Sequence, residues 1–266
     1  MTTQLNSSSD SLLSVQVPAQ SPSLSPPQGI NRPTQISRIK GSIREQIRSK
    51  VLRTGQKLPS ERELSDLFAT TRITIKDALT SLETEGLIYR EKRRGWFVSA
   101  KRIRYNPLSR CHFHHMISDQ DRVAETRLIS IRSELASGDY ANALAIDKIT
   151  PIQIIERLRF IDGRVVLYVE NCLISELFPN ILDENLTDSL TSIYREKYGY
   201  ETQRSRFDVI PTSAPHHVAK ALNLAEGQPV LKISRVNYKQ DGEIMDCELE
   251  YWRPDAVMIC IDSNSK

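Results

Sequence analysis

Arg157 and Arg159 stand two residues apart in a strand-like stretch, and a pair of guanidiniums on one face can fork onto an oxyanion such as phosphate, phosphonate or carboxylate. Just beyond them, Asp162-Gly163 between apolar runs is a hairpin signal. A two-residue turn there sets Arg157 opposite Tyr168, Arg159 opposite Val166 and Ile155 opposite Glu170. That register gathers Arg157, Arg159, Tyr168 and Glu170 on one face as an anion cradle, and leaves Leu158, Phe160, Val165, Leu167 and Val169 for the core. The competing reading is that the two arginines neutralise neighbouring acids on a solvated strand.

A second hairpin repeats the device. Asp241-Gly242 sets Arg235 opposite Glu248, Asn237 opposite Asp246 and Ile233 opposite Glu250. Asp246, Glu248 and Glu250 then form an acidic row beside Trp252 that could hold a ligand's ammonium group, with a structural Arg235–Glu248 cross-strand pair as the alternative. Cys111, His112, His114 and His115 are good ligand types for zinc or copper and carry a second alternative, a metal-responsive protein. Adjacent ligands rarely converge on one ion, so no metal site and no cofactor is expected. An enzyme is the remaining rival, but there is no paired general acid and base, no nucleophile motif and no cofactor loop.

The elements that position these groups fall into two blocks. Asn31 to Arg104 holds eighteen Lys and Arg against eight Asp and Glu, whereas Tyr105 to Lys266 holds eighteen against twenty-four. A basic block beside an acidic one, inside a net charge of +3, points the first at a polyanion and the second at another task. With 266 residues, two domains are expected. No apolar run is long enough for a membrane span, and scattered cysteines suit a reducing cytoplasm. Met1 to Ile30, rich in Ser, Pro and Gln, reads as a disordered tail.

In the basic block Ile36, Ile39, Ile43, Ile47 and Val51 recur at helical spacing, and Gly55 closes that helix. Ser60-Glu61-Arg62-Glu63 is a capping box, so a second helix starts at Glu61 and buries Leu64, Leu67 and Phe68. Thr70 or Thr71 caps a third helix with Ile75, Ala78, Leu79 and Leu82 on its inner face. Then Leu87-Ile88-Tyr89, a basic tip from Arg90 to Gly95, and Trp96-Phe97-Val98 read as a hairpin able to lie along a phosphate backbone. Two helices joined by so few residues, followed by a wing, are the layout of a winged helix-turn-helix.

Leu58-Pro59-Ser60-Glu61-Arg62-Glu63-Leu64, Thr71-Arg72-Ile73-Thr74-Ile75-Lys76 and Glu85-Gly86-Leu87-Ile88 resemble the GntR family of bacterial transcription regulators. The resemblance implies DNA contacts by Arg62, Thr71, Arg72, Thr74 and Lys76, with Arg93, Arg94 and Gly95 at the wing tip. Two departures stand out: Lys76 where the family favours Arg, and Arg94-Gly95-Trp96-Phe97 at the wing. Downstream, Ile155-Glu156-Arg157-Leu158-Arg159-Phe160, Tyr168-Val169-Glu170, Phe178-Pro179-Asn180-Ile181-Leu182 and Leu224-Ala225-Glu226-Gly227 resemble the UTRA effector domain of the HutC-type branch. That implies a chorismate-lyase-like α+β fold and an effector site in which Arg157 and Arg159 hold a phosphate with Glu170 nearby; the two hairpin registers add Tyr168, Asp246 and Glu248 to the expected site. A softer likeness to regulators of phosphonate use points to a zwitterion such as 2-aminoethylphosphonate.

The expected protein is α+β: a disordered tail over 1–30, a winged helix-turn-helix over 31–104, a linker over 105–122 and an effector domain with an antiparallel sheet over 123–262. Its expected partners are a near-palindromic double-stranded DNA operator, a small anionic effector of the phosphonate or phosphosugar class, and a second copy of itself. The expected role is that of a cytoplasmic, homodimeric repressor.

Overall fold

The computed structural model describes residues 33–109 and 112–262, so the tail expected over 1–30 and Cys111 lie outside the described residues. The chain divides into two compact units, one up to Lys101 and one from Arg102 onward.

The first unit holds helices α1 (Gln35–Arg48), α2 (Glu61–Leu67) and α3 (Arg72–Thr84), then strands β1 (Ile88–Glu91) and β2 (Gly95–Val98). The capping box forms as expected: the Ser60 amide donates to Glu63 Oε2 at 2.7 Å and the Glu63 amide to Ser60 Oγ at 3.3 Å. Thr71, not Thr70, caps α3. Ile39, Ile43, Leu64, Ile75, Ala78, Leu79, Leu82 and Trp96 close one core. Two expectations shift. The first helix stops at Arg48, short of Val51, and Leu67 faces outward because the helical period carries only Leu64 and the cap residue Phe68 inward. The wing gains a third rung, since Lys57 bridges Phe97 and the Leu58 amide donates to the Trp96 carbonyl.

The second unit begins with β3 (Ile103–Tyr105) and α4 (Phe113–Ser118), continues through β4 (Ala124–Leu135), α5 (Gly138–Ala143), β5 (Pro151–Ile161), β6 (Arg164–Ile174), α6 (Leu190–Tyr198), β7 (Arg204–Ser213), α7 (His216–Ala221), β8 (Pro229–Tyr238) and β9 (Ile244–Trp252), and ends with β10 (Val257–Ile259). Six strands form one antiparallel sheet in the order β4-β5-β6-β9-β8-β7, and β3 pairs with β10 in parallel. One sheet face packs on α4 and α6, through Phe113, Met116 and Ile117 against Val169 and Trp252, and through Phe178, Leu190 and Tyr194 against Ile155 and Leu173. The other packs on α7, whose Val218 and Ala219 meet Tyr168 and Tyr251. This is the expected α+β class.

Residues 105–122 are not a linker. Tyr105, Phe113, Met116 and Ile117 are buried in the second unit's core, because these four side chains pack on the sheet, while Leu108 stays exposed.

The β8–β9 hairpin has the expected register, with Arg235 opposite Glu248 and Asn237 opposite Asp246. The β5–β6 hairpin does not. Asp162 and Gly163 form the turn with positive φ (49° and 76°), and Phe160 pairs with Val165 as expected. Past that pair a β-bulge intervenes: Arg159 pairs with Leu167 and Arg157 with Val169, leaving Val166 unmatched. A slip of one residue turns every later side chain to the opposite face. Tyr168 and Glu170 are therefore on the face away from Arg157 and Arg159, and Leu167 and Val169 are on the arginine face.

Candidate functional site

In the first unit the chemistry is carried by exposed cations on short, well-capped elements. Arg62 lies on α2, Arg72 and Lys76 on the first turns of α3, and Arg93 and Arg94 at the wing tip, all exposed. Thr71 and Thr74 are bound to each other: their hydroxyl oxygens lie 2.9 Å apart, and the Thr74 amide donates to Thr71 Oγ1 at 3.2 Å. Gly95 takes φ of 101° and Arg93 φ of 64°, which bends the tip back on itself, and Arg94 pairs with Glu91 while covering the Phe97 ring at 5.2 Å. A helix N-terminus flanked by Arg and Lys, beside a basic hairpin tip, suits phosphates and groove edges.

The second unit contains a cavity of about 750 Å³, of a size that takes a small ligand. Arg157 and Arg159 on β5, Asp246, Glu248 and Glu250 on β9, and Arg235 on β8 line it across one sheet face, together with the first turn of α6 from Ser189 to Ser192. The three arginines have different jobs. Arg157 is 2% exposed and is spent on structure, donating to Asn171 Oδ1 at 2.7 Å and to the Asp188 and Leu186 carbonyls at 3.1 and 3.3 Å. Burial and the neighbouring Arg159 bring its pKa down to about 10. Arg235 bridges Glu248 and Glu250 at 3.3 Å each and also donates to the Tyr105 hydroxyl. Arg159 stacks on the Phe113 ring at 4.7 Å and meets Glu248 only at 3.8 Å; its Nε has no partner, as is also true of Arg157 and Arg235, but unlike theirs its terminal nitrogens have no closer partner than that. It is the guanidinium best placed to accept a new oxyanion.

The acids divide in the same way. Burial raises Glu248, but Arg235, Arg159 and Arg157 together hold it below the ordinary carboxylate range. Burial and the charge of Glu248 push Glu250 up, while Arg235 and the Trp252 indole, whose Nε1 donates at 2.6 Å, offset part of that. Among the described residues Asp246 has no cation in direct contact, and burial and the charge of Glu248 raise it by more than Asn237 and Arg235 lower it. Burial pushes it up to about 7, and its Oδ1 is buried with no partner. A ligand donor aimed at that oxygen would meet an unsatisfied acceptor.

The structure thus brings Arg157, Arg159, Asp246 and Glu248 to one cavity and removes Tyr168 and Glu170 from it. Those two meet His217 on the opposite face: Glu170 Oε1 lies 3.3 Å from His217 Nε2, and the Tyr168 ring meets the His217 ring edge-on at 5.6 Å. The three histidines of the possible metal cluster go separate ways. His112 bonds Ser189 at 2.7 Å, His114 bonds Thr126 at 2.9 Å and His115 meets Asp119 at 2.8 Å. Among the described residues no group of three metal-ligating side chains converges. Sequence reasoning passed over Asn171, Tyr105 and the start of α6. Ser189 at the cap of α6 was a readable signal for the last; nothing local marks the other two.

Residues 119–258, more than half of the chain, match the UTRA domain, and residues 35–98 match the bacterial regulatory proteins of the gntR family. The chain belongs to the GntR family and carries a UTRA domain. It is similar to the HTH-type transcriptional repressor NagR of Bacillus subtilis, at 28% identity over 218 residues covering 82% of this chain and 89% of that protein. It is equally similar to the HTH-type transcriptional regulator YihL of Escherichia coli, at 28% over 233 residues covering 85% and 97%. The Mannosyl-D-glycerate transport/metabolism system repressor MngR of Escherichia coli is 24% identical over 229 residues, 86% of this chain and 95% of that protein. Among solved structures, PhnF from Mycobacterium smegmatis shares the fold with a TM-score of 0.60 at 22% identity, over 86% of this chain and all of that one. The chain is a DNA-binding transcription regulator, not an enzyme, and among its described residues no helix is long and apolar enough to cross a membrane.

Proposed function

We propose that this regulator is a repressor that releases its operator when a small anion of the phosphonate or phosphosugar class enters the cavity of the second unit. The observation that carries the reading is Arg159: a guanidinium held rigid on Phe113, with an unpartnered Nε, in a cavity whose edge is a helix N-terminus. Leu190 and Thr191 open α6, where the first N–H groups of a helix lack intrahelical partners and favour negative charge; the Ser192 amide is taken by Ser189 Oγ at 3.2 Å. Asp246 and Glu248 would receive the ligand's donor end. Of the relatives, NagR and MngR are named repressors, and mannosyl-D-glycerate, in the name of MngR, is itself a carboxylate.

On the DNA side, Arg62, Arg72 and Lys76 reach the operator, Thr71 and Thr74 fix the helix start, and Arg93, Arg94 and Gly95 bring the wing to the backbone. A single helix-turn-helix reads one half-site, so a homodimer on a near-palindromic operator with half-sites about 34 Å apart is the matching assembly. A protein that reads bacterial chromosomal DNA works in the cytoplasm. The test is operator release measured by fluorescence anisotropy during titration with phosphosugars and phosphonates. Release by at least one anion, abolished in Arg159→Ala, supports the reading; an Arg159→Ala protein that releases normally overturns it.

A further inference from the structure

The N-terminal turn of α3 carries an isoleucine that neither the core nor helix stability explains. Ile75, Ala78, Leu79 and Leu82 are buried and define the inner face of α3. At roughly 100° of rotation per residue, Ile73 points about 170° away from the mean direction of those four, along the crest of the outer face. It is 74% exposed, against 45% for Val51 and 40% for Leu67, the other exposed large apolar side chains among the described residues of the first unit. A β-branched residue is also a poorer helix former than Ala, Leu or Arg, so it adds nothing to α3 as a helix. Its neighbours leave it the role of contact. Thr71 and Thr74 are engaged with each other in the cap, while Arg72 and Lys76 flank the crest as exposed cations suited to phosphate.

We propose that Ile73 is a specificity-determining residue that packs against the C5-methyl group of a thymine in the major groove of the operator. That methyl is the one apolar group that base pairs display on the major-groove edge, and an apolar side chain on the crest of a groove-reading helix is its chemical complement. The stiff χ1 of isoleucine presents its methyl groups with little rotamer entropy left to lose on contact. Arg72 and Lys76 supply grip; Ile73 supplies discrimination between thymine and cytosine at one position in each half-site. The inference rests on α3 being the helix that enters the groove.

The experiment selects an operator from a random duplex pool with the full-length protein, then replaces each thymine in turn with deoxyuracil, which pairs identically but lacks the methyl. Affinity is read by fluorescence anisotropy for the wild type, Ile73→Ala and Arg72→Ala, with circular dichroism to confirm that each variant is folded. Expected is one position per half-site at which uracil weakens the wild type about fourfold, the worth of burying one methyl-sized group, while Ile73→Ala binds both duplexes equally. The proposal is overturned if no thymine in the selected site shows a uracil penalty, or if Ile73→Ala keeps the same penalty. Failure of the underlying reading looks different: Arg72→Ala would then retain full preference for the selected operator.

Discussion

Arg157 and Asn171 are joined side chain to side chain, Nη2 donating to Oδ1 at 2.7 Å, across a ladder in which Arg157 itself pairs with Val169. With its other nitrogen on the Leu186 and Asp188 carbonyls, Arg157 ties β5 to the segment that leads into α6. Removing it leaves two buried acceptors and the part-buried Asp188 carbonyl without a donor, a loss of about 3 kcal/mol by the usual cost of breaking a buried charged network. Arg157→Ala should lower Tm by several degrees and disturb the cavity indirectly. Arg159→Ala should lower Tm less, keep operator affinity in the absence of effector, and lose effector-driven release. Differential scanning calorimetry beside an anisotropy titration separates the two.

The bulge that turns Tyr168 and Glu170 away from the arginines makes a second contrast. Tyr168→Phe should leave the effector concentration for half-release within about twofold of wild type. Glu248→Gln should raise it roughly tenfold or more, the scale of a charge-assisted hydrogen bond. Equal effects from both substitutions would mean the ligand does not sit on the Arg159 face.

Asp246 makes stability depend on pH. Burial raises its pKa to about 7 from the ordinary 3.8, so the folded chain holds this proton more tightly than the unfolded chain does. The stability it contributes is complete below the ordinary carboxylate range and is lost as pH rises through 7. Asp246→Asn removes the titration. Between pH 5 and pH 8 the wild type should lose on the order of 3 kcal/mol more than the variant, at about 1.4 kcal/mol per pKa unit. Parallel pH–Tm curves for the two proteins would refute the assignment.

Arg72→Ala should abolish preference for the operator over random DNA and leave the second unit's response to ligand in place. The side chain is exposed and makes no core contact, so Tm should stay within about 0.5 kcal/mol-equivalent of wild type. A footprint unchanged by the substitution would displace α3 as the reading helix.

How much of this was legible depended on whether each segment carried a pattern with one solution. Ser60 and Glu63 at the capping distance, and the inward residues of α3, admit one helix phase. Asp246, Glu248 and Glu250 alternate with apolar residues, and a register that put them all on the same face was readable from the turn outward. Val165 to Val169 is apolar except for one tyrosine, and a run without alternation gives a bulge nothing to violate. The turn at Asp162-Gly163 was therefore found and the register two residues later was lost. Strand β4 escaped because its polarity runs against its burial: none of its residues is buried, Leu128, Ile129, Ile131 and Leu135 are exposed, and Thr126 and Ser130 are half-buried. The segment 105–122 looked like a connection since its few apolar anchors are too widely spaced to show a period.

Strand β3 has a consequence of a mechanical kind. It is three residues long, held in parallel to β10 by bonds such as the Ile103 amide to the Ala256 carbonyl at 2.9 Å, and its last residue, Tyr105, has its hydroxyl between Arg235 and Glu250 in the cavity wall. Within the second unit, the first strand is thus itself part of the cavity wall, so a displacement of Ile103 would move the Tyr105 hydroxyl and with it the partners of Arg235 and Glu250.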